Sequence, residues 1–231
     1  MRKEKSRIMK KTYYLFQMKT ELLNILSLVL IIIMFIVLYL IYGSRIINVF
    51  NEGFAMTFIL MMPYFALHEV FHSTAYVIHG ANFKNITYGA HLEKGVLCCL
   101  CKQNITKKNI LISLLYPFLF LGIITLIIGI VFKIYPLVLL SLMNISGCTG
   151  DFIMFYNLVK IPDFEFSEFD NPIAFALLSD KDLSKLKLPG LLYLDKTDKL
   201  ERTINKKIDI SKSSIIYLLI FIAIGIINLF L

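Results

Sequence analysis

Tryptophan is absent from this 231-residue chain, and charge is scarce: only 17% of residues are Asp, Glu, Lys or Arg, against 58% hydrophobic. Soluble domains carry about 25% charged residues. With a mean hydropathy of +0.74, the deficit excludes a water-soluble globular protein, and so apolar a chain is not a disordered one. No internal period is present, which excludes solenoids and propellers. Four cysteines in a chain of this length do not make a disulfide scaffold. A small-residue cleavage site is also missing after the basic start MRKEKSRIMKK, so the apolar run behind it reads as a retained span rather than a signal peptide.

Long apolar runs are what the chain has instead. A membrane-crossing helix needs about 20 apolar residues, and five stretches meet that need: Leu22–Tyr42, Phe54–His79, Ile110–Phe132, Ile134–Val159 and Ser214–Leu231. The expected fold class is an all-α polytopic membrane protein with five spans. Tyr39, Tyr42, Tyr135 and Tyr217 near the span ends fit an interfacial aromatic belt. The basic residues then act as topology signals. Seven Lys or Arg lie in residues 1–21, five in 80–109 and ten in 160–213, whereas the other two loops hold only Arg45 and Lys133. The positive-inside rule puts the N-terminus in the cytosol. This distribution accounts for the net charge of +8 without a nucleic-acid partner.

The predicted organisation is a basic cytosolic tail (1–21), a membrane core (22–159), a small cytosolic module (160–213) and a C-terminal span (214–231). Within the core, residues 83–101 read as two short strands around a Glu93-Lys94-Gly95 turn, a cytosolic β-hairpin. The module balances ten acidic against ten basic residues, contains a Pro189-Gly190 turn and carries no chemical motif.

Only two formally charged side chains fall inside the five spans, Glu69 and Asp151. A carboxylate at the bilayer centre costs roughly 2.5–3.5 kcal/mol on insertion scales, so such residues mark function. Glu69 belongs to His68-Glu69-Val70-Phe71-His72, an H-E-x-x-H pattern. Positions i and i+4 share one helix face, so both imidazoles reach a single zinc ion, and the carboxylate beside them can accept a proton from water. One Zn²⁺ balances Glu69 and Asp151. The alternative is a polar helix–helix contact with protonated carboxyls.

A hydrolytic zinc site takes three protein ligands and one open position. The extended metzincin pattern needs Gly and His where this chain has Ala75 and Ile78. His79 lies on the same face but about 16 Å further along the axis. Glu93 sits in the predicted hairpin turn, and His91 beside it is a weaker case. Asp151 agrees in depth: His68 lies about 16 Å before the end of the second span and Asp151 about 14 Å before the end of the fourth, which runs the same way. Asn144 is seven residues before Asp151 on one helix face, placed either to hold substrate backbone, to join a polar network at the metal, or to make a helix-packing contact. Gly147 and Gly150 are expected to let this helix approach the second closely. Pro63 and Pro117 should free backbone groups. Cys148 is one turn from Asp151, and Cys98, Cys99 and Cys101 read as strand packing in a reducing compartment.

HEVFH in one span, a hairpin carrying LEKG, a span with Tyr116-Pro117 and NISGCTGD in the next resemble the bacterial putative zincin peptidases of membranes, a family built on a domain of unknown function. The resemblance covers about residues 50–162. More distantly the layout is similar to site-2 protease intramembrane metallopeptidases, although their aspartate follows a proline-rich motif ending Leu-Asp-Gly and this chain has Thr149-Gly150-Asp151-Phe152.

The resulting expectation is an intramembrane zinc metallopeptidase in the cell membrane. His68, His72 and Asp151 are the ligands, Glu69 is the general base, and Asn144 is a candidate substrate contact. Its partners would be a membrane-associated protein or peptide and the lipid bilayer, with the hairpin holding the substrate by strand addition. A non-catalytic binding or immunity factor with a structural, four-ligand metal site, closed by Cys148 or His91, is the alternative. A transporter would spread polar residues through the membrane depth rather than in one layer. Substrate, cleavage position and oligomeric state are not encoded in any motif.

Overall fold

A computed structural model of the chain describes residues 12–91, 96–168 and 174–194. Helix α1 (Thr20–Tyr42) leads through a tight turn at Gly43–Arg45 into α2 (Ile46–Ile78). Next come the strands β2 (Ile86–His91) and β3 (Val96–Cys101) of the expected hairpin, paired antiparallel from Ile86↔Cys101 to His91↔Val96. Its turn lies outside the described residues. Helices α3 (Lys107–Pro117) and α4 (Thr125–Val131) are joined by a wider π-helical stretch, Phe118–Ile124, so together they form one long apolar column. The column returns through α5 (Tyr135–Gly147) and α6 (Thr149–Lys160), which meet at a 41° bend around Cys148.

Three helical stretches are long and apolar enough to cross a membrane, or four if the bent pair α5–α6 counts as one. Five spans are therefore not what the described residues contain, and the fifth expected span, 214–231, lies outside them. Nor is the architecture all-α. The segment Thr12–Met18 forms β1, inside a five-stranded sheet with order β4-β5-β6-β1-β7, where β4 is Ile105–Thr106, β5 Glu165–Glu168, β6 Ala174–Ser179 and β7 Leu191–Leu194. The supposed basic tail thus supplies a strand that pairs on both edges, with β6 and β7. Its Thr-Tyr-Tyr-Leu-Phe-Gln-Met sequence is rich in β-favouring side chains. Tyr14, Phe16 and Met18 pack into the main core on one face, and Tyr13 and Leu15 cover Ala176 on the other. Two-sided burial of this kind stabilises a strand, and the lysines flanking it hide it from a charge-based reading.

The described part of the expected module at 160–213 is joined to the strands before it. Strands β5–β7 join β1 and β4 in one sheet, and the Pro189-Gly190 turn packs back on the helices. Gly190 has φ +83°, and a Cβ there would come within 2.9 Å of Ile153 Cγ2 and Leu22 Cδ2, so only glycine fits. The close helix approach expected at Gly147 and Gly150 occurs elsewhere. A Cβ on Gly147 meets nothing nearer than Phe65 at 3.8 Å, whereas on Gly122 it would strike Ile145 Cγ1 at 2.9 Å. Glycine thus tightens the packing on α5 at Gly122 in the π-helical stretch, at Gly129 in α4 and at Gly53 in α2. Both sheets lie at the end of the bundle where α1 and α3 begin and α2 and α6 finish.

Candidate metal centre

Helix α2 presents His68 and His72 one turn apart on a single face, both buried. Across from them, the bend at Cys148 starts α6 afresh, so Asp151 falls in its first turn, where the positive end of the helix dipole favours a carboxylate. His68 Nε2 and His72 Nε2 are 3.1 Å apart. Asp151 Oδ2 lies 3.4 Å from His68 Nε2, and Asp151 Oδ1 lies 3.5 Å from His72 Nε2. Zinc–ligand bonds of about 2.0–2.1 Å in tetrahedral geometry separate neighbouring donors by about 3.3 Å. The three separations bracket that edge.

The protonation pattern follows from the partners. Asn144 is fully buried, and its Nδ2 donates to the Pro117 carbonyl at 3.1 Å. A carbonyl can only accept, so the amide is oriented with Oδ1 towards His68 Nδ1, 2.9 Å away. His68 Nδ1 must then carry the proton. His72 Nδ1 faces the Ser113 carbonyl at 2.9 Å and is the donor for the same reason. In the neutral rings both Nε2 atoms are left with lone pairs, which point at each other and at a carboxylate. Asp151 Oδ2 is buried and makes no hydrogen bond. Two imidazole nitrogens and a carboxylate converging on one point are a donor set that suits zinc.

Glu69 is half-buried beside this cluster, and the Cys99 backbone N–H of β3 donates to its carboxylate. Tyr88 Oη on β2 bonds to Ser73 Oγ at 2.6 Å, which ties the hairpin to α2 a second time. His68, Glu69, His72 and Asp151 line a cavity of about 190 Å³ whose other walls include Met18, Cys98 and Phe175. The cavity therefore lies between the helices and both sheets. Cys148 is completely buried, with its Sγ within 4.8 Å of ligand atoms of His68 and Asp151.

The structure thus brings His68, Glu69, His72 and Asp151 together, and places Asn144 in the polar network behind His68 rather than on the cavity wall. His79 stands apart at the C-cap of α2. Glu93 lies outside the described residues, and of His91 only the backbone pairing with Val96 is described. The residue that sequence reasoning missed is Ser113. It acts through a main-chain carbonyl, which every residue type carries; the only written trace is a proline four positions later.

No curated protein and no solved structure matches the chain. A family model does match, and it spans every side chain of the cluster: residues 61–164 are similar to the family described as "Putative zincin peptidase".

Proposed function

We propose that this protein is a zinc metallopeptidase acting within the membrane, with His68, His72 and Asp151 as the metal ligands and Glu69 as the general base. The observation that carries the reading is the convergence of the two Nε2 atoms and a carboxylate at tetrahedral-edge spacing. A metallopeptidase-like function also agrees with the family match. The membrane setting is supported by the apolar helices that surround the site.

Zinc, when bound, supplies a Lewis acid that polarises a peptide carbonyl and makes water acidic near neutral pH. The chain's own residues do the rest. Asn144 and the Ser113 carbonyl hold the two imidazoles in orientation. Glu69, fixed by the Cys99 N–H, takes a proton from the attacking water and returns it to the leaving amine. The cavity is smaller than the roughly 300 Å³ at which small-molecule pockets begin, and a helix with side chains is about 10 Å across. The substrate therefore presents a short extended segment, and a membrane helix must unwind to do so. Strand pairing with the hairpin is the proposed means of holding it. Val96→Pro should lower cleavage while leaving bound zinc intact, and unchanged cleavage would remove the hairpin from substrate binding.

The test of the whole reading is the metal content of detergent-purified protein. About one zinc per chain should be present in wild type and in Glu69→Gln, and lost or weakened in His72→Ala and Asp151→Ala. Zinc indifferent to Asp151 would undo the ligand set. One observation favours a second reading, a closed structural site in a non-catalytic binding factor: the Sγ of Cys148 is close enough to be drawn onto a metal shared with His68 and Asp151. In that case Cys148→Ser would lose zinc, whereas the open peptidase site keeps it.

A further inference from the structure

We infer that Pro117 is the positioning residue that orients both imidazoles of the cluster. The inference rests on the metal-site reading above and extends it to residues that never touch the metal. Proline has no N–H, so in a helix it leaves the carbonyl four residues earlier without its usual donor. Four residues before Pro117 is Ser113, whose carbonyl accepts instead from His72 Nδ1 at 2.9 Å. The next amide along does not replace the lost donor, because the Phe118 N–H bonds to the Leu115 carbonyl. The Ser113 carbonyl is thereby turned out of the helix towards α2, and Ser113 Oγ bonds the His72 carbonyl at 3.2 Å, which holds the two helices at this level.

The second imidazole is reached through the proline's own carbonyl. Pro117 stands where α3 gives way to the π-helical stretch Phe118–Ile124. Such stretches displace carbonyls from the regular ladder and recur at functional sites. The Pro117 carbonyl accepts from Asn144 Nδ2 at 3.1 Å, and this bond decides which end of the amide faces His68. One residue therefore supplies two acceptors: the carbonyl it frees sets the His72 tautomer, and the carbonyl it carries sets the Asn144 amide and, through it, the His68 tautomer. Pro63, in the middle of α2, also interrupts a helix ladder, but the carbonyl four residues before it belongs to Ile59, more than two turns from His68.

The decisive variant is Pro117→Ala, because it should separate stability from metal binding. Alanine restores an N–H that competes for the Ser113 carbonyl, so the helix gains a bond and thermal stability in detergent should be equal to wild type or higher. Zinc affinity, read by competition with a chromophoric chelator, should fall about 10–100-fold, the usual effect of removing an outer-shell partner. Independently of metal, the ¹⁵N-histidine spectrum of metal-free wild type should show His68 and His72 protonated at Nδ1, and Pro117→Ala should lose that signature at His72. Asn144→Leu, similar in size and without the amide, should lose it at His68 instead, and serves if Pro117→Ala does not fold. Wild-type zinc affinity together with unchanged histidine tautomers in Pro117→Ala would overturn the inference. A wild type that binds no zinc would instead remove the metal reading, and the tautomer spectra of the metal-free protein would still decide what Pro117 does.

Discussion

Single residues at this site are constrained by what their polar atoms face. Glu69 bonds to a backbone N–H and lines the cavity, so Glu69→Gln keeps the size and the contact and removes only the proposed base. It should hold zinc at wild-type stoichiometry while cleavage falls by at least the roughly 10²–10⁴-fold that general-base catalysis contributes. Retained cleavage in that variant would take Glu69 out of the chemistry. Away from the cluster, Asn157 is fully buried and donates from Nδ2 to the Ile153 and Pro189 carbonyls, both at 2.7 Å. It links α6 to the turn that precedes β7. Asn157→Leu removes the link to the Pro189 carbonyl, and losing an intramolecular hydrogen bond costs about 0.5–1.5 kcal/mol. Thermal unfolding should register that loss without a change in bound zinc.

At the scale of elements, two interruptions make the site. A straight fourth span would carry Asp151 mid-helix, where no dipole end favours its charge. The bend at Cys148 instead begins a new helix there, and Asp151 enters its first turn. The π-helical stretch after Pro117 is the other interruption, and it presses Gly122 against Ile145, the neighbour of Asn144. Adding a methyl group at Gly122 forces Ile145 aside, since the contact would be 2.9 Å. Overpacking of this kind costs about 1–3 kcal/mol, so Gly122→Ala should lower the melting temperature. Because Ile145 adjoins Asn144, zinc affinity should drop as well, and a variant as stable as wild type would show that the seam between the π-helical stretch and α5 yields.

For the whole molecule, the arrangement places both sheets at one end of the helical bundle and the short Lys133 turn at the other. With 22 of the 24 Lys and Arg in residues 1–21, 80–109 and 160–213 of the sequence, the sheet end is proposed to face the cytosol. In a background where the four native cysteines are replaced, Lys133→Cys should react with a membrane-impermeant maleimide in intact cells, and Lys181→Cys only after permeabilisation. The reverse pattern would invert the orientation. Because β1 pairs on both edges, removing residues 12–18 should disrupt the five-stranded sheet rather than trim a tail, and limited proteolysis of the region after Ile161 would report it.

The parts of this protein that its sequence determined by itself are those written in local spacing and composition. His68 and His72 are four residues apart and so share a face whatever surrounds the helix. Apolar length marks the long helices, and alternation with a central turn marks the β2–β3 hairpin. Even the level of Asp151 beside the histidines was reachable, because depth along two helices that run the same way depends only on rise per residue. What only the tertiary structure decided is whatever depends on partners distant in sequence. Strand β1 has no meaning without β6 and β7, which lie more than 150 residues later. The break at Cys148 has no proline to announce it and is set by packing against α1, α2 and α3. The acceptors behind the two histidines are a side-chain amide aimed by a carbonyl and a main-chain carbonyl released by a proline, and neither residue identity nor spacing says in which direction a freed carbonyl will point.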